Sequence, residues 1–161
     1  DALLESGALH RFIEDHTRNH DEPLPLRRRI PLINDVAAGL PRDFTDLDYP
    51  AAVADDYLAC PDFGDADAFA ARVIGDSMQP HYREGYVVVF SPAAPTPSGS
   101  DCFVRLERDA ETTFKRIYFE GEDQRLIRLQ PLNERYEPRT VDREQVAGLY
   151  AAIYVMRRVG V

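Results

Sequence analysis

The sequence predicts a mainly β domain, preceded by a short helix and a linker. Three observations predict it. From Ala68 onward, short runs rich in Val, Ile, Phe and Tyr recur at close spacing, at 68–74, 86–90, 102–107, 112–119, 126–129 and 148–156. Turn-forming residues separate them: Pro92, Pro95 and Pro97 mark one long turn, and Arg108-Asp109-Ala110-Glu111 reads as a hairpin connection. Finally, the chain shows no repeat with a period of about 20 to 50 residues, no low-complexity tract, and neither a GxGxxG nor a P-loop pattern.

The earlier elements are read in chain order. Residues 2–16 place Leu4, Ala8, Leu9, Phe12 and Ile13 near helical spacing, which predicts a short amphipathic packing helix. Residues 17–31 are polar, basic and punctuated by prolines, the composition of a tether. The domain boundary is therefore expected at residue 30, with 1–29 as helix and linker and 30–161 as the domain proper. Residues 30–41 read as extended, lightened to Ala37-Ala38-Gly39 where another backbone could approach closely. From Pro41 to Phe63 the chain is acidic and irregular, and reads as a surface connection.

Composition narrows the function. A chain of 161 residues with 44% hydrophobic content can fill the core of one domain, which excludes full disorder. Nineteen basic against 28 acidic residues leave a net charge of -9, which repels a phosphate backbone, and Arg27-Arg28-Arg29 reads as a solvated linker patch. DNA binding by these residues alone is not expected. No apolar run reaches the roughly 18 residues that span a bilayer, and the first residues lack a signal-peptide layout, so a cytoplasmic protein with no membrane contact is expected. Cys60 and Cys102 have no CxxC partner and read as reduced thiols, with a single bridge between them left open. His10, His16, His20 and His81 show no ligand spacing; no metal and no cofactor are expected.

Chemistry enters at Gly75-Asp76-Ser77-Met78, where a serine stands on the turn that ends the 68–74 run, between apolar Ile74 and Met78. Alone, such a serine is an ordinary turn residue whose hydroxyl bonds nearby backbone. A serine hydroxyl is a weak nucleophile and needs a base. No histidine stands in a triad motif, but Lys115 lies in the apolar run Thr112-Thr113-Phe114-Lys115-Arg116-Ile117. Burial there would favour its neutral form, the only form that can take a proton. The plainer reading of a strand lysine is one that snorkels to a surface carboxylate.

Taken together, Val36-Ala37-Ala38-Gly39, Gly75-Asp76-Ser77-Met78-Gln79-Pro80 and Phe114-Lys115-Arg116 resemble the LexA/UmuD family of self-cleaving serine peptidases, which includes many phage repressors. Gly85-Tyr86-Val87-Val88-Val89, Leu129-Gln130-Pro131-Leu132-Asn133, Tyr136-Glu137-Pro138 and Val146-Ala147-Gly148-Leu149-Tyr150 add to the resemblance, which covers about 30–158. Ser77 lies 38 residues after Gly39 and 38 before Lys115. Departures are Tyr86, where many relatives have an acidic residue, and a loop over 91–101 unusually rich in Pro and Ser.

The resemblance implies a LexA/signal-peptidase-like β-fold of twisted antiparallel sheets and a Ser-Lys dyad. Ser77 would be the nucleophile and Lys115 the general base. Ala38-Gly39 would be the bond cut within the same chain, with the backbone N–H groups of Asp76 and Ser77 as the oxyanion hole. It further implies a homodimer, induction by the RecA filament or by an antirepressor, and operator DNA contact only through an N-terminal domain missing from these residues. The chain would be the regulatory end of a repressor in the DNA-damage response. Two other readings stay open: a UmuD-like accessory subunit of a translesion polymerase, and a dimerisation or antirepressor-binding module that no longer cleaves.

Overall fold

Residues 28–33 and 56–160 are described in the computed structural model. The expected helix over 2–16, the linker as far as Arg27, and the Ala38-Gly39 segment lie outside the described residues. The described strands are β1 (Arg28–Ile33), β2 (Asp56–Cys60), β3 (Phe69–Arg72), β4 (Val87–Ser91), β5 (Asp101–Leu106), β6 (Thr112–Glu120), β7 (Leu126–Gln130), β8 (Arg139–Asp142) and β9 (Val146–Met156). They form one sheet in the order β2-β1-β3-β4-β9-β5-β6-β7-β8. Among the described strands, only β1 and β3 run parallel. The mainly β expectation holds, and each of the six apolar runs is a strand whose ends fall within two residues of those read from the sequence.

Two strands were not expected. β2 lies in the acidic stretch read as a surface connection, and β8 follows a proline in a polar one. Each ends the sheet among the described residues and buries a single side chain, Cys60 and Val141. Such strands carry little apolar alternation, and pairing with a distant partner decides them. β1 also starts before the expected boundary, so that Arg28 and Arg29 are strand residues. The Arg28 guanidinium reaches Asp62 at 3.3 Å and that of Arg29 lies over the Tyr57 ring, so both pair along the β1–β2 hairpin.

The central strands are apolar without alternation because both of their faces are covered. On one side Leu32, Ala70 and Val89 pack with Ile30 and Cys60; on the other Ile33, Ala71 and Val88 pack with Phe69, Phe90, Phe103 and Tyr150. Phe69 organises the second cluster, meeting Phe103 and Tyr150 edge-on at 5.3 and 5.4 Å. A third cluster, including Cys102, Val104, Ile117, Ile127 and Leu129, fills the space beneath β5, β6 and β7. Gly148 on β9 is required because a Cβ there would lie 2.5 Å from the Tyr150 hydroxyl.

The connection over 108–111 is a tight turn, as expected, with Asp109 in the left-handed region at φ 62°. Cys60 and Cys102 are both free and buried. Burial pushes the Cys102 thiol up to about 12, so it stays protonated and unreactive. Among the described residues, no helix is long and apolar enough to cross a membrane.

Candidate active site

β3 delivers the serine. Its last pairing with the chain before β4 runs through Val73, whose N–H donates to the Tyr86 carbonyl at 2.8 Å and whose carbonyl accepts from the Gly85 N–H at 2.9 Å. Gly75 then turns the chain at φ +75°, a conformation that costs an ordinary L-residue about 1–2 kcal/mol. The following turn closes when the Gln79 N–H donates to the Asp76 carbonyl at 3.1 Å, and Met78, 2% exposed, plugs it into the core. Ser77 is left half-buried.

β6 delivers the lysine. Lys115 sits opposite Cys102 of β5, in a ladder that continues through Arg116 to Gln130 of β7. Its Nζ lies 3.0 Å from Ser77 Oγ, 3.1 Å from Thr113 Oγ1 and 3.0 Å from the Phe114 carbonyl oxygen. Burial pushes its pKa below the ordinary lysine value, while the negative charge of Glu111 opposes that shift. The plainer alternative, a lysine paired at the surface, is not what the chain adopts.

These three contacts define what the amine can do. An ammonium has three N–H groups and would satisfy all three oxygens; the neutral amine has two N–H groups and one lone pair. The Phe114 carbonyl can only accept, so it keeps one N–H. Of the two hydroxyls, Thr113 can take the other N–H while Ser77 donates its proton to the lone pair. In that state the amine could accept the Ser77 proton, as a general base would from a nucleophile.

The pair opens on a cleft of about 150 Å3 whose lining includes Ala71, Val73, Ile74, Met78, Phe103 and Phe114. This is smaller than the roughly 300–1,000 Å3 usual for small-molecule sites, and it suits a short extended segment with small side chains. Ile74 stands 55% exposed beside it. Among the described residues no acceptor takes the N–H of Asp76 or Ser77.

Other side chains hold the two halves together. The Asn133 N–H donates to the Ser77 carbonyl and its Nδ2 to the Asp76 carbonyl, both at 3.0 Å, while the Tyr136 hydroxyl donates to Asp76 Oδ1. Tyr82, whose N–H donates to the Met78 carbonyl, packs its ring on Phe114 and donates its hydroxyl to Asp101, which Arg116 grips with two nitrogens at 2.8 and 3.1 Å. Asn133 and Tyr136 lie in motifs quoted above, but no role for them follows from the sequence. Their only signal was polarity next to prolines after a strand. Thr113, Tyr82 and Asp101 gave none. The Ala38-Gly39 bond is outside the described residues.

A family model described as Peptidase S24-like matches residues 31–150. The LexA repressor of Desulfatibacillum aliphaticivorans is 38% identical over 118 residues, covering 68% of this chain and 50% of the relative. The HTH-type transcriptional regulator for conjugative element SXT of Vibrio cholerae is 36% identical over 118 residues, 69% of this chain and 52% of the relative. The prophage repressor CohE of Escherichia coli is 32% identical over 102 residues, 63% and 45%. The chain thus spans about half the length of these curated relatives. With a matching model over most of its length and a mainly β sheet of the expected kind, the chain belongs to the Peptidase S24-like family, of LexA-like type.

Proposed function

We propose that this chain is the self-cleaving domain of a LexA-like or phage-type repressor, and that it cuts its own Ala38-Gly39 bond with Ser77 and Lys115. The observation that carries the reading is the 3.0 Å contact between Lys115 Nζ and Ser77 Oγ, made by a lysine that burial biases toward its neutral form. Topology supports it. β1 pairs with β3 so that Ile33 lies beside Ala71, which lines the cleft. Ala38 follows Ile33 by five residue steps. Extended, those steps reach at most about 17–18 Å, enough to bring Ala38 to a cleft next door and too little to stray far.

The neutral lysine takes the Ser77 proton as Oγ bonds to the Ala38 carbonyl carbon, and the oxyanion rests on the Asp76 and Ser77 N–H groups. The ammonium then gives the proton to the Gly39 nitrogen as the Ala38–Gly39 bond breaks. Lys115, neutral again, takes a proton from water as its oxygen attacks the acyl carbon, and the ammonium returns that proton to Ser77 Oγ as the Oγ–acyl bond breaks. Tethering replaces substrate binding with a docking equilibrium, and a partner that favours the docked state would set the rate. The RecA filament is the expected partner in the DNA-damage response, an antirepressor the other, acting on a homodimeric protein in the cytoplasm. Operator contacts are assigned to sequence outside these residues, in keeping with the length of the relatives, all named as regulators or repressors.

Incubating the purified chain from pH 7 to 10 tests the reading by mass spectrometry. Fragments 1–38 and 39–161 should accumulate faster as pH rises, and Ser77→Ala should abolish them. A folded chain that stays intact at every pH, alone and with RecA filaments, would leave the non-cleaving module as the better reading. Cutting at Gly39 by the Ser77→Ala protein would remove the assigned nucleophile.

A further inference from the structure

We infer that Asn133 is a positioning residue that fixes the direction of the Ser77 side chain; its importance for cleavage rests on the dyad reading above. The two peptide planes that flank the Ser77 Cα are each held by it. The Asp76 carbonyl, in the plane before Ser77, accepts from Asn133 Nδ2, and the Ser77 carbonyl, in the plane after, accepts from the Asn133 N–H, both at 3.0 Å. Peptide units are rigid, so fixing both planes fixes the Ser77 φ and ψ and hence its Cα–Cβ bond. Only χ1 is then free. The Lys115 contact sets that.

Asn133 is itself held in the orientation the task needs. Its Oδ1 accepts from the Arg135 N–H at 3.1 Å and its carbonyl from the Tyr136 N–H at 3.1 Å, so the amide cannot turn its oxygen toward Asp76 without losing a bond. The Tyr136 hydroxyl adds a second tie on the Asp76 carboxylate. One face of a short loop after β7 thus grips the turn of the nucleophile, 57 and 60 residues away in sequence. None of these bonds touches Lys115, so the clasp governs where Ser77 points and leaves the readiness of the base alone.

The test is the pH profile of self-cleavage in the 161-residue chain, together with amide hydrogen exchange. Asn133→Ala should lower the high-pH plateau about tenfold, and Tyr136→Phe about threefold, with the midpoint of each profile unmoved. Asn133→Asp, nearly the same shape but facing an acceptor with an acceptor, should lose more than Asn133→Ala. The Gln79 amide should exchange faster in Asn133→Ala while β4 amides keep their rates. A plateau within twofold of wild type in both Asn133→Ala and Tyr136→Phe would overturn the inference. So would a loss matched by the unfolded fraction. Should the wild-type chain not cleave at all, the dyad reading fails separately, and exchange alone decides: a Gln79 amide unchanged by Asn133→Ala overturns the clasp, and a faster one upholds it.

Discussion

The two halves of the site are built by different means. Lys115 is placed by a regular ladder, between β5 and β7, and its chemistry comes from burial. Ser77 stands on a turn with no ladder of its own, stitched in place by Asn133, Tyr136 and the buried Met78. Each half therefore fails in its own way. Changes around the lysine should move the pH at which cleavage switches on; changes around the serine should lower the rate reached at any pH.

Lys115→Met should have the largest effect. It removes the proposed base, so cleavage should fall by on the order of 1,000-fold or more at every pH, read as fragment yield. Stability should respond in a pH-dependent way. The folded-state pKa of Lys115 is depressed, so the wild-type chain carries a cost for the buried ammonium that is full below that folded-state pKa. That cost fades as pH rises from the folded toward the unfolded lysine value. The stability of Lys115→Met relative to wild type, measured by urea unfolding, should therefore decline over that window.

The same contrast governs how much could be read from the chain. Lys115 announced itself as a cation inside an apolar run, and the six runs that became β3, β4, β5, β6, β7 and β9 were legible because burial on one or both faces leaves a pattern in the residues. β2 and β8 left none, since each buries one side chain and owes its existence to pairing. Ser77 was legible only through its motif, and Asn133 only as a letter in another. Hydrogen bonds from a side chain to a backbone 57 residues away have no periodicity, so no window of sequence contains them.

Gly75→Ala probes the turn alone. A Cβ there would meet nothing within 4 Å, so the whole effect is the cost of φ +75° for an L-residue, about 1–2 kcal/mol. If the turn relaxes to escape that cost, Ser77 moves with it. The plateau rate should drop roughly tenfold with an unchanged midpoint. Gly75→Asn, which tolerates the left-handed region better, should recover part of the loss.

Thr113→Val touches the lysine without touching the serine. It removes one of three acceptors from Nζ, which weakens the hold on the ammonium more than on the amine. The midpoint should move to lower pH. The plateau should also fall, by about threefold, because the neutral amine loses the partner that turns its lone pair to Ser77.

The smallest effect expected is also the cleanest separation of the two halves. Glu111 lies just before β6, outside the cleft, and acts on Lys115 through its charge, which stabilises the ammonium. Arg139 engages that same carboxylate at 3.0 and 3.1 Å, with both side chains about half exposed. Glu111→Gln removes the charge, so the Lys115 pKa should fall further and cleavage below the midpoint should quicken, by roughly twofold for an exposed group. Arg139→Gln leaves the charge uncompensated, so the pKa should rise and cleavage below the midpoint should slow. Neither residue contacts the Ser77 turn, and the plateau at high pH should be the same for both variants and wild type. Opposite shifts on one plateau would show that the base is tuned through space, independently of the clasp on the nucleophile; equal plateau losses in both would mean that the turn between β5 and β6 reaches Ser77 after all.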